Sequence, residues 1–139
     1  MAMKYYSSTI EAGEDFEAIC KAGEYEIILD QGKQSGGNGK GMTPVEAFLS
    51  SIGGCMTVNA KIFSKKLRID LKSFKLKIDG EVDSDKGKGL SKIKITYFIE
   101  SNSEREQIDK FIDLVERYCT VKATMLEMPE LETKVNIIK

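Results

Sequence analysis

The stretch Thr43–Arg68 constrains the fold more than any other, because it specifies a long helix and marks both its start and its buried side. Thr43 is a good N-cap, Pro44 suits the first helical position, where its missing N–H leaves nothing unpaired, and Glu46 completes a Thr-x-x-Glu capping box. Apolar or small residues then recur at Val45, Phe48, Leu49, Ile52, Cys55, Met56, Asn59 or Ala60, and Phe63, the spacing of a helix with one side against a core. Gly53 and Gly54 stand immediately before Cys55. Each costs about 1 kcal/mol relative to alanine in a helix interior, so the pair predicts close approach of another element or a ligand.

Around this helix the other segments fall into order. Residues 4–11 alternate through Tyr6, Ser8 and Ile10, residues 16–22 put Phe16, Ala18, Cys20 and Ala22 on one face, and residues 25–30 form a third run. The turns at Gly13-Glu14-Asp15 and Ala22-Gly23-Glu24 join them into an antiparallel meander, with Cys20 read as a small core hydrophobe. The glycine-rich QGKQSGGNGKGM segment leads into the long helix. It is no phosphate loop, since Gln34 stands where the first glycine belongs and Gly41 where a Ser or Thr would meet magnesium. It is read chiefly as flexible, although a loop ending at a helix start can also shape a pocket or hold an anion.

Beyond the helix, Phe74, Leu76, Ile78 and Val82 alternate with Lys75, Lys77, Asp79 and Glu81, and Ile93, Ile95, Tyr97 and Ile99 resume the pattern after a turn. This predicts a hairpin with one wet face. A second helix starts near Ser103, a capping candidate, and carries Ile108, Phe111, Ile112, Val115, Tyr118 and Cys119 along its apolar side. Residues 120–127 read as either more helix or a broken turn, and residues 131–138 as a final strand. The expected architecture is α+β, antiparallel sheets around a long central helix in the order β-β-β-α-β-β-α-β. At 139 residues, 1–139 is read as a single domain. The breadth of the central helix's apolar surface and its Gly-Gly pair predict a homodimer.

Several function classes are disfavoured by composition. Lys and Glu are interleaved and the net charge is −1, so no basic face points to nucleic acid. No window has the roughly 18 apolar residues of a membrane span, and the opening MAMKYYSS lacks the apolar core of a secretion signal. A soluble, cytoplasmic protein is expected. The chain contains no histidine, which removes His-paired nucleophiles and His-containing zinc sites, and no metal or organic cofactor is expected. Three widely spaced cysteines, Cys20, Cys55 and Cys119, are not a disulfide scaffold; in a reducing compartment they are inert core groups or redox groups.

The order of elements, Gly53-Gly54-Cys55 on the central helix and Tyr118-Cys119-Thr120-Val121 further on resemble the OsmC/Ohr family of thiol peroxidases. The likeness covers nearly the whole chain. Pro44-Val45-Glu46-Ala47-Phe48 corresponds to that family's Pro-x-Glu-Leu-Leu-like helix start. The resemblance implies an intertwined homodimer with two sites at its interface. It implies that Cys55 is the peroxidatic thiolate, which attacks an organic hydroperoxide, and that Cys119 resolves the sulfenic acid to a disulfide. Glu46 would belong to the site, and an external dithiol, lipoyl-linked in better-known members, would restore the thiols.

The chain also departs from the family pattern. The peroxidase branch carries an arginine in its early strands, whereas no arginine precedes Arg68 here, leaving Lys21 or Lys33 as point-charge substitutes. Glu46 stands two residues after Pro44 rather than one, and Thr120 replaces a usual proline. Glu46 is equally explained by its capping box. Three functions therefore stay open: an organic hydroperoxide peroxidase, a non-catalytic redox-sensing or hydrophobic-ligand-binding homodimer on the same fold, and a structural dimer with core cysteines.

Overall fold

A computed structural model describes residues 2–138. It is α+β, with antiparallel sheets and three α-helices. Its contacts divide the chain into two compact units, one ending at Ser50 and the next beginning at Ser51, so that the boundary falls within the long helix.

In the first unit, β1 (Thr9–Ala12), β2 (Ala18–Ala22) and β3 (Tyr25–Leu29) form the expected antiparallel meander. Ile10 pairs with Cys20 and Cys20 with Ile27, which aligns three small or branched side chains on one face. The loop that follows is braced. The Asp30 carboxylate, 1 % exposed, accepts the N–H of Gln31 at 2.7 Å, that of Lys40 at 3.1 Å and that of Asn38. Its ends are closed further by the Asp30 N–H donating to the Met42 carbonyl. Gly41 passes so close to Ile28 that a Cβ would collide with the Ile28 carbonyl oxygen. This segment, read from the sequence as chiefly flexible, is braced by a buried acceptor and a close backbone approach.

The central helix α1 runs Pro44–Lys66, as its caps predicted. The Glu46 carboxylate accepts from the Thr43 N–H and hydroxyl, both at 2.9 Å, and the Thr43 hydroxyl accepts from the Glu46 N–H at 3.2 Å, which completes the capping box.

In the second unit, β4 (Leu71–Val82) and β5 (Leu90–Ser101) pair antiparallel, with Phe74 opposite Ile99, Leu76 opposite Tyr97 and Ile78 opposite Ile95. That row faces inward and the lysines between them face water. Ile52, Met56 and Ala60 of α1 pack with Ile69 and with Phe111 and Val115 of α2 (Arg105–Arg117) to form the core. Gly53 meets this hairpin closely, because a Cβ there would lie 3.1 Å from Ile78 Cδ1. Gly54 has open space instead, so only one of the two glycines is explained by packing among the described residues.

Two boundaries differ from the sequence reading. The N-cap of α2 is Glu104, which shares a capping box with Gln107, while the Ser103 hydroxyl accepts the Asp70 N–H at 3.0 Å. A carboxylate at the N-cap also suits the helix dipole, which favours it over the serine. The ambiguous residues form a separate short helix α3, Thr120–Leu126. The expected last strand is absent: residues 131–138 have no regular structure, and Leu131, Val135 and Ile137 stay about three-quarters exposed. The alternating pattern is present, but a strand exists only against a partner edge, and none is paired with it among the described residues. The order observed is thus β-β-β-α-β-β-α-α.

Candidate active site

The site is built where α1 passes the end of α2. Asn59, one turn beyond Cys55, donates its side-chain N–H to the Val115 carbonyl at 3.2 Å, and the Phe63 and Tyr118 rings meet at 5.4 Å between centroids. These contacts bring the two helices together so that the Cys55 and Cys119 thiols lie near enough to influence each other. Both cysteines are free. Cys55 is half-buried in mid-helix, whereas Cys119 is wholly buried.

Cys119 does not continue the apolar stripe of α2, as the sequence suggested. It occupies an extended link (φ −80°, ψ 110°) between α2 and α3, where its sulfur accepts the Lys122 N–H at 3.4 Å. Burial pushes the Cys119 thiol above its ordinary range; the Lys122 N–H works against this and the neighbouring Cys55 thiol with it.

Three residues that the sequence did not single out adjoin this link. The Tyr97 hydroxyl donates to Glu116 Oε2 at 2.8 Å, and Lys122 Nζ meets Glu116 Oε1 at 2.5 Å. Burial would raise the Glu116 carboxyl, but the bonds from Lys122 and Tyr97 outweigh it and hold the group below the usual carboxylate range. Burial also drives the Tyr97 phenol well above its usual range, helped by the Glu116 hydrogen bond and charge. A signal for these residues was available. Tyr97 is the polar-tipped member of an apolar strand row, and Glu116 follows Ile112 by one turn on the margin of the buried face. An open groove of about 490 Å³ lies alongside, with Tyr97, Ile99, Ile108 and Ile112 in its lining and Arg105 at its rim.

The other candidates are placed elsewhere. Cys20 is on β2 in the first unit, its thiol 3.9 Å from the Ala18 carbonyl oxygen. Lys21 pairs with Glu26 at 3.9 Å on an exposed surface, and Lys33 lies in a 3-10 turn, its chain beside Gly39. Glu46 is engaged in the α1 cap, whose hydrogen bonds from the Thr43 N–H and hydroxyl hold its carboxyl below the ordinary value. Among the described residues no three His, Cys, Asp or Glu side chains gather as metal ligands.

Residues 37–134 match the family model described as OsmC-like protein, which takes in the capped helix and both paired cysteines. The chain belongs to the OsmC-like family. It is 30% identical over 129 residues to a hydroperoxide reductase of Mycoplasma genitalium, with 88% of this chain and 87% of that protein covered. The crystal structure of an OsmC-like protein from Mycoplasma pneumoniae is similar at a TM-score of 0.80 and 25% identity, over 90% of this chain and 89% of that one. A protein from Aquifex aeolicus is similar at a TM-score of 0.76 and 25% identity, over 89% of each chain. No helix among the described residues of this OsmC-like chain is long and apolar enough to cross a membrane.

Proposed function

We propose that this OsmC-like protein is a thiol-dependent peroxidase that reduces organic hydroperoxides to alcohols. The observation that carries the reading is the neighbouring pair of free thiols, one half-buried and one wholly buried. Cys55, as thiolate, attacks the distal peroxide oxygen; the O–O bond breaks, alcohol leaves with a proton, and Cys55 becomes a sulfenic acid. Cys119 then attacks the Cys55 sulfur, the S–O bond breaks, and the departing hydroxide leaves as water with the proton given up by Cys119. Hydroperoxide and two thiols thus yield alcohol, water and one disulfide, which an external dithiol, lipoyl-linked or otherwise, reduces. Neither step calls on histidine, which the chain lacks.

A homodimer completes this reading. Val58 and Ile62 remain exposed on α1 at 60% and 45%, and the inward row of the β4–β5 hairpin is only half-buried. Such surface is what a second copy covers. Sedimentation at micromolar concentration is expected to give twice the 15.5 kDa chain mass.

The competing reading is a non-catalytic redox sensor or hydrophobic-ligand binder. It is favoured by the lack of any arginine before Arg68 and by the groove beside Tyr97, part of whose lining is Ile99, Ile108 and Ile112. Stopped-flow oxidation with cumene hydroperoxide and with hydrogen peroxide separates the two. The peroxidase reading expects fast, organic-selective formation of a Cys55–Cys119 disulfide, with turnover reduced on the order of a thousandfold or more in Cys55→Ser. Reaction with both oxidants no faster than a free thiol overturns it.

A further inference from the structure

The residues flanking Cys119 form a closed ring of contacts. The Cys119 N–H donates to the Glu116 carbonyl at 3.2 Å, and the Lys122 N–H donates to the Cys119 sulfur at 3.4 Å. The Glu116 and Lys122 side chains then meet each other across the link at 2.5 Å. Each is only about 30% exposed, so the pair is far less screened than the i,i+4 pairs Arg105–Asp109 and Arg117–Asp113 on the open side of α2. Tyr97 adds a third support from a different element, tying the same carboxylate to the sheet. Glu116 is thereby held at both oxygens.

Disulfide formation needs this link to move. The thiols are neighbours but both free, whereas a disulfide requires about 2.05 Å between sulfurs and a near-perpendicular torsion. Cys55 is held by its backbone in the middle of a 23-residue helix, so only its side chain can turn. The backbone adjustment therefore belongs to Cys119, in the two-residue link Tyr118-Cys119 between the helices.

We infer that Glu116, Lys122 and Tyr97 are positioning residues for the resolving thiol: the ion pair closes α3 against α2 and holds Cys119 within reach of oxidised Cys55. The inference rests on the peroxidase reading for its biological use. It assigns these residues no contact with substrate. They act on the second step alone, in which the Cys119–Cys55 bond forms as hydroxide leaves Cys55.

The test separates the two steps in single turnover. Cumene hydroperoxide oxidises reduced protein, sulfenic acid is trapped with dimedone, and disulfide is followed by mass. Lys122→Met keeps the side-chain length and removes the charge. It is expected to leave Cys55 oxidation unchanged, to slow disulfide closure roughly 10- to 100-fold, and to raise the sulfinic acid fraction at excess oxidant. Tyr97→Phe should slow closure less, and Lys122→Arg should restore it to within about twofold. Closure at the wild-type rate in Lys122→Met overturns the inference, as does equal slowing of both steps. If wild-type Cys55 proves unreactive toward hydroperoxide, the peroxidase reading falls separately. Diamide then probes the clamp: it adds to Cys55, and Cys119 displaces the reduced hydrazine as the disulfide forms. Slower displacement in Lys122→Met supports the clamp, and an unchanged rate overturns it.

Discussion

The two units are held together by opposite means. Every fully buried apolar side chain among the described residues, from Ile52 to Val115, belongs to the second unit, together with Cys119. In the first unit the buried positions are Glu17 and Asp30, both carboxylates, while Ile10, Phe16 and Ile27 stay more than half exposed. Glu17 meets Lys40 at 3.1 Å, and Asp30 gathers the loop's N–H groups. The contrast teaches where precision comes from. The Cys55–Cys119 pair adjoins a close-packed apolar core, where displacement is costly. The glycine-rich loop is ordered by charge and hydrogen bonds instead, which can be released without opening a core.

The sharpest way to break this contrast is a pair of truncations. Phe111→Ala in the second unit is expected to cost about 3–5 kcal/mol in denaturant unfolding, since nothing lies ready to refill the space between α2 and Phe74. Ile27→Ala, at 58% exposure, should cost within about 0.5 kcal/mol if that surface stays uncovered. A cost that rises with protein concentration would mean that a second copy covers the meander. Next in size, Gly41→Ala should destabilise by about 1–3 kcal/mol, because its Cβ collides with backbone and the strand end must shift.

Acid should separate the units further. The Lys40 N–H, then those of Gln31 and Asn38, hold the Asp30 carboxyl below its ordinary value against the opposing effect of burial. Its proton is therefore bound more weakly in the folded chain than in the unfolded one. The stability this gives is complete above about pH 4 and is lost as pH falls through the lower folded value. Hydrogen exchange is expected to show residues 31–42 losing protection on acidification before α1 and α2 do. Asp30→Asn should produce the same loss at neutral pH. The smallest expected effect is that of Lys21→Ala: with its ammonium 3.9 Å from Glu26 on exposed surface, it should change stability by less than about 0.5 kcal/mol and Cys55 oxidation by less than twofold. A larger fall in oxidation rate would restore Lys21 as the substitute for the missing arginine.

What the sequence made legible follows the range of the forces involved. The α1 caps, the meander and the hairpin are set by neighbours a few residues apart, and they stand where the pattern put them. Cys55 and Cys119 were singled out by the resemblance to the OsmC/Ohr family, and the fold brings them together. The break at Cys119 was hidden because Tyr118-Cys119-Thr120-Val121 contains neither glycine nor proline and the apolar spacing runs through it. There Cys119 becomes the N-cap of α3, its sulfur accepting the Lys122 N–H, while Glu116, Tyr97 and Lys122 meet beside it. Asp30 was equally hidden. At a strand end before glycines it reads as a turn residue, and only the folded loop shows three donors converging on it. The alternation of residues 131–138 was legible but insufficient, because pairing depends on an edge that no local pattern supplies.

If the two thiols close into a disulfide, the backbone change falls on the two-residue link Tyr118-Cys119. Since Cys55 is anchored in the middle of α1, reduced and oxidised protein should give nearly the same amide spectrum for α1 and different ones for residues 118–126, which include Met125 and Leu126 at the exposed end of α3. A dithiol partner arriving to reset the pair would then meet a surface already changed by the event it has come to reverse, and the chain would announce its own need for reduction.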